Sequence, residues 1–146
     1  MAISQRAPNQ IFLGGPQPAL LNDIACSQAL TPGMLVELAT SAGVTRWKKH
    51  ATAAGPCRAI VKDMPMLNKG LSDVTAVGDL VEVLELLPGD LVQVLIASGA
   101  NITKGDKLES AGNGYARAWT NSTTPFVAKS TSGAVTADTY IQAEVI

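Results

Sequence analysis

"GDLVEVLELLPGDLVQVLIASGANITKGD", residues 78–106, holds three Gly-Asp pairs: Gly78-Asp79, Gly89-Asp90 and Gly105-Asp106. Aliphatic runs separate them. An aspartate array of this kind either gathers in a cleft and does chemistry, or marks the places where a sheet turns. Each aspartate here follows a glycine at the border of an apolar run. Glycine supplies positive φ without steric cost, and aspartate accepts hydrogen bonds from nearby backbone N–H groups. Both are turn chemistry, so the pairs read as architecture. Three strands are then expected between the pairs or just before them. "LVEVLELL" also satisfies a helical spacing through Leu80, Val83, Leu84 and Leu87. Pro88-Gly89 cuts it short, and eight residues are few for a helix, so a strand is expected. "LVQVLIA" carries the β-branched residues that strands favour.

Working outward, the same grammar recurs. Pro32-Gly33 precedes a strand over residues 34–39, and Gly43 separates it from a strand over 44–50. A further strand is expected over 57–62. Residues 63–79 read as a loop region, with Pro65, Asn68 and Gly70. After the "AGNG" turn at 111–114 come strands over 115–120, 127–129 and 140–146. Short segments with turns every 8–12 residues predict an all-β fold, a small barrel or sandwich-like domain. The Ser/Thr-rich stretch 120–133 reads as a surface loop or edge. Residues 1–23 differ from the rest. Pro8, Gly14-Gly15, Pro16 and Pro18 exclude a helix or a central strand. With Ile11-Phe12-Leu13 and Leu20-Leu21 as apolar points, this stretch reads as an extended N-terminal arm ahead of a domain at 24–146.

The chain has 146 residues, enough for one core. Hydrophobic residues make up 47% but aromatics only 4%, so the core is built of Val, Leu, Ile and Ala. Charged residues are 16%, below the roughly 25% of ordinary soluble domains. Weakly polar surface of this kind is often covered by partner subunits. A net charge of −1 lacks the basic excess of nucleic-acid binders. Residues 91–103 are uncharged but too short to span a bilayer, so no membrane partner is expected. The N-terminus shows no basic region followed by an apolar run, which fits a protein made in a cytoplasm.

Chemistry finds little support. Cys26, Cys57 and the single His50 cannot complete a structural zinc site without carboxylates, and there is no CxxC. The chain has no GxSxG, HExxH or GxxxxGK[ST]. No catalytic residue, metal or cofactor is expected, and the chain reads as no enzyme. "RWKKH", residues 46–50, is the one basic cluster. In a strand it puts Arg46, Lys48 and His50 on one face and Trp47 on the other. It is either a solvated edge whose lysines block strand pairing, or a patch for an acidic partner anchored by Trp47.

Three segments carry a resemblance: "LTPGMLVELATSAGVTRW" at 30–47, "GDLVEVLELLPGDLVQVLIASGANITKGDKLESAGNGYA" at 78–116, and "TYIQAEVI" at 139–146. They resemble the head decoration, or cement, proteins of tailed bacteriophages. The "GAxIxxGDxL" element also occurs in biotinyl and lipoyl modules, but the MKM or DKA lysine those need is absent. The resemblance implies a β-barrel or β-tulip on the outer capsid surface of the virion. It implies binding to the major capsid protein and to itself, as a homotrimer or homodimer. It implies reinforcement of the head against DNA pressure. The related alternative is another phage structural β domain: a tail tube, a head–tail joining protein or a fibre base. The expected contacts are Ile11, Phe12, Leu13, Leu20, Leu21, Arg46, Trp47 and Lys48.

Overall fold

The computed structural model describes residues 10–64, 73–119 and 126–146. They contain thirteen strands and no helix, so the expected all-β fold is found. A closed five-stranded barrel runs in the order β7 (Leu91–Ile96), β10 (Ala116–Ala118), β9 (Lys107–Ser110), β11 (Phe126–Ala128), β13 (Thr139–Val145) and back to β7. The β13–β7 seam is the longest, from Thr139↔Ile96 to Glu144↔Leu91. β10 meets β7 only at Ala116↔Ile96. The rest of that edge is taken by β1 (Phe12–Gly14), at Phe12↔Val92 and Gly14↔Leu91.

Against the barrel lies a three-stranded sheet, β2 (Ala19–Leu21), β6 (Val83–Glu85) and β5 (Ala59–Val61), with β6 in the middle. Its residues alternate between two cores. Ile60, Leu84 and Leu86 join the barrel core with Val92, Val94, Ile96, Leu108 and Phe126. Val61, Val81 and Val83 join a second core with Cys26, Leu30, Met34, Val36 and Trp47. A strand buried on both faces carries apolar residues at odd and even positions. That explains "LVEVLELL": the residues that go inside are Val81, Val83, Leu84 and Leu86, while Leu80 and Leu87 stay exposed. The helical spacing was a coincidence of two apolar faces.

The Gly-Asp pairs are turns. Gly78, Gly89 and Gly105 have φ of 88°, 96° and 94°. In each pair the aspartate N–H donates three residues back, to Ala76 O, Leu87 O and Thr103 O. A positive φ at the third position of such a turn is the mark of type II, and Pro88 suits the second position. Asp90 and Asp106 also accept the Leu87 and Thr103 N–H groups through Oδ2, both at 2.8 Å. The three carboxylates stand at three separate corners.

β3 (Val36–Ser41) and β4 (Val44–Lys49) form a hairpin in register from Val36↔Lys49 to Ser41↔Val44. Its two-residue loop, Ala42-Gly43, has positive φ at both positions, 51° and 77°, as a type I′ turn requires. A short pair, β8 (Asn101–Ile102) with β12 (Gly133–Ala134), completes the fold. Several boundaries shift. Cys57 precedes β5 instead of starting it, and β9 was not foreseen. The Ser/Thr-rich stretch supplies the whole of β11, a barrel strand with Phe126 fully buried, instead of only surface loop. Residues 120–125 of that stretch, 65–72 of the expected loop and 1–9 of the expected arm lie outside the described residues.

Candidate interaction surface

The arm sequence from residue 10 lies along its own chain. The Ile11 N–H donates to Asp63 Oδ1 at 2.9 Å. Its carbonyl accepts from the Gln93 N–H, and the Gln93 amide donates to Gln10 O, both at 2.8 Å. Ile11 is fully buried in the barrel core, with Phe12 packed beside it. Leu13 is half-buried. Leu20 is 47% exposed at the outer strand of its sheet, and Leu21 packs against the second core. Of the apolar points on the arm, Leu20 therefore offers the most free surface.

The basic cluster is also divided. Trp47 is 2% exposed, inside the second core, and its indole N–H has no partner among the described residues. Arg46 and Lys48 are half-buried along β4. Lys48 reaches Glu37 on the neighbouring strand at 3.5 Å, whereas Arg46 makes no ion pair among the described residues. His50 leaves the expected face altogether. It is buried, with Nδ1 2.7 Å from Ser110 Oγ. The outer edge of β4 is covered, not open: Trp47 N–H donates to Ala25 O, Ser27 N–H donates to Trp47 O, and Lys49 N–H donates to Gln28 Oε1. Lysines blocking an open edge are thus not what this cluster provides.

Several groups of potential chemical use are held within the fold. The Cys57 thiol is pushed up to about 11 by burial, which outweighs its contacts with the Ala59 and Val36 carbonyls. A thiol held protonated is a poor nucleophile. Tyr140 is pushed up to about 12, first by burial and then by Tyr115, and its hydroxyl donates to Pro32 O at 2.7 Å. Tyr115 is raised mainly by its 2.7 Å hydrogen bond to Asp138. Glu109 is fully buried and takes the Arg117 Nε–H at 3.0 Å. Among the described residues no three His, Cys, Asp or Glu side chains gather as a metal site would require.

The exposed surface carries a groove and scattered apolar side chains. The groove, of about 430 Å³, runs between β3 and the segment leading into β5, lined by Val36, Leu38, Trp47, Cys57, Arg58 and Glu85 among others. Leu38 is 46% exposed on its rim.

No protein-family model matches the sequence, and no curated protein matches it. Among solved structures, the N base of the head fibre gp8.5 of bacteriophage phi29 superposes with a TM-score of 0.61. The match covers 89% of this chain and 95% of that one, at 14% identity. The two share a fold. At that identity the likeness extends no further than the architecture, and it spans most of the chain.

Proposed function

We propose that this chain is a non-enzymatic structural protein of a bacteriophage virion, seated on the outer face of the head. The observation that carries it is the near end-to-end fold likeness to a phage head-fibre base. The finer role is that of a cement protein, bound to the major capsid protein between capsomers. A protein that binds only the assembled lattice stabilises it by linkage. Several weak contacts per oligomer add through effective concentration. Nothing in such a role needs an active site. The weakly charged surface and exposed Leu20, Leu38, Val77 and Leu80 suit a protein covered by neighbours.

A second reading, a base that carries a head fibre, is favoured by the nature of the structural neighbour, itself a head-fibre base. Both readings require attachment to the head. The test is co-sedimentation of the purified chain with heads of the phage that encodes it. Saturable binding is expected. Heads that ignore a folded chain would overturn both readings. Heads prepared without the chain separate the two: earlier loss of DNA on heating marks a cement, and loss of fibres with unchanged heat resistance marks a base.

A further inference from the structure

We infer that the free edge of β3 is a two-fold interface, where β3 of a second copy pairs antiparallel with it in a register centred on Leu38. The pattern of bonds on the hairpin shows which backbone groups are unused. In an antiparallel pair, bonding residues alternate along each strand. The tight turn makes Ser41↔Val44 a bonded pair, so Ala39↔Arg46 and Glu37↔Lys48 follow. The outer groups of Trp47 and Lys49, which bond away from β3, confirm the phase. Val36, Leu38 and Thr40 therefore turn their N–H and C=O groups outward. The Val36 carbonyl meets the Cys57 thiol at 3.4 Å, which marks where the edge closes. From Leu38 onward it faces the groove.

Edges of this kind are usually guarded by lysine, proline or a bulge. β3 reads VELATS and pairs without a register shift, so it has none of these. Its side chains suit a copy of itself. Centred on a two-fold axis, Leu38 faces the partner's Leu38 and Glu37 faces the partner's Ala39, and the ladder ends where Val36 meets Cys57. On one face the row across four strands reads Trp47, Leu38, the partner's Leu38, the partner's Trp47. The half-exposed leucine becomes covered. On the other face the row reads Arg46, Ala39, the partner's Glu37, the partner's Lys48. Strands lie about 4.8 Å apart, so Arg46 stands about 10 Å from the partner's Glu37, with only a methyl group between. Two long side chains close that gap. Arg46, unpaired in the single chain, gains a carboxylate, and no like charges stand opposite each other. The hairpin tip, Ser41, Ala42 and Gly43, is small enough to enter the partner's groove. An isologous contact makes each of these pairs twice.

The test uses the full chain. Its mass is measured by light scattering over a concentration series, beside Leu38→Lys, Arg46→Glu and Leu38→Cys. The expected species has twice the 15.1 kDa mass of the chain. Leu38→Lys puts two like charges on the axis and is expected to weaken the dimer roughly tenfold or more. Arg46→Glu should weaken it less, and the loss should shrink at high salt. A short bis-maleimide should join Leu38→Cys chains into dimers, while the wild-type chain, with Cys26 and Cys57 both buried, stays unlinked. Leu38 is exposed, so circular dichroism should be unchanged in all variants. A monomer at every concentration overturns the inference. So does an oligomer that is indifferent to Leu38→Lys, or one whose Leu38→Cys form fails to link.

Discussion

Single residues do two kinds of work here, turning the chain and sealing its interior. Ala42 sits at φ 51° in the hairpin turn, a conformation that costs an L-residue roughly 1 kcal/mol. Asparagine tolerates it better and is the favoured partner of glycine in this turn. Ala42→Asn is expected to raise stability by about 0.5–1 kcal/mol, read from the midpoint of urea unfolding. Tyr140 gives a pH signature with a definite sign. Its folded value, about 12, lies above its ordinary 10.0, so the folded state holds the phenolic proton more tightly. That stabilisation is complete below pH 10 and is lost as pH rises toward 12. Denaturant titrations across this window should show a fall in stability that Tyr140→Phe lacks, although Phe also loses the bond to Pro32. Cys57 adds a simpler check. A thiol-reactive dye should label it only after unfolding.

Among the elements, β1 is the one whose place depends on few groups. It is three residues long, and proline and glycine surround it. What holds it is Ile11 in the barrel core and the bond from its N–H to the buried Asp63. Removing a buried acceptor leaves a donor without a partner, at about 1–3 kcal/mol. Asp63→Ala should therefore destabilise the chain by about that much and speed hydrogen exchange at the Ile11 and Gln93 amides. Exchange confined to other strands would show that β1 is held by packing alone. The arm composition was legible in the sequence. Its landing place was not, because Asp63 and Gln93 lie 52 and 82 residues away from Ile11, and no local pattern announces such partners. The basic cluster shows the same limit from the other side. Alternation alone assigns faces to Arg46, Trp47 and Lys48, but Trp47 is inside because Cys26, Leu30, Met34 and Val36 gather on its face as the second core.

For the whole molecule, two cores share one sheet. Leu84 faces the barrel and Val83 faces the second core from adjacent positions of β6. Damage to either face reaches both halves. Leu84→Ala should cost about 2–5 kcal/mol, and the unfolding curves from tryptophan fluorescence and far-ultraviolet dichroism should coincide. Separate transitions would mean that the cores fold independently. The sequence by itself determined what is local: where the chain turns, since glycine and aspartate encode φ and capping within a few residues, and that the runs between turns are strands. It also determined that catalysis has no recognisable motif. The tertiary structure alone decided which apolar run faces which core, that the barrel closes through β7 and β13, and that the arm from residue 10 lies on its own chain. It also decided that the unguarded edge is on β3 and not on β4. Those outcomes depend on contacts between residues far apart in sequence, and short-range periodicity carries no information about which strand becomes a neighbour.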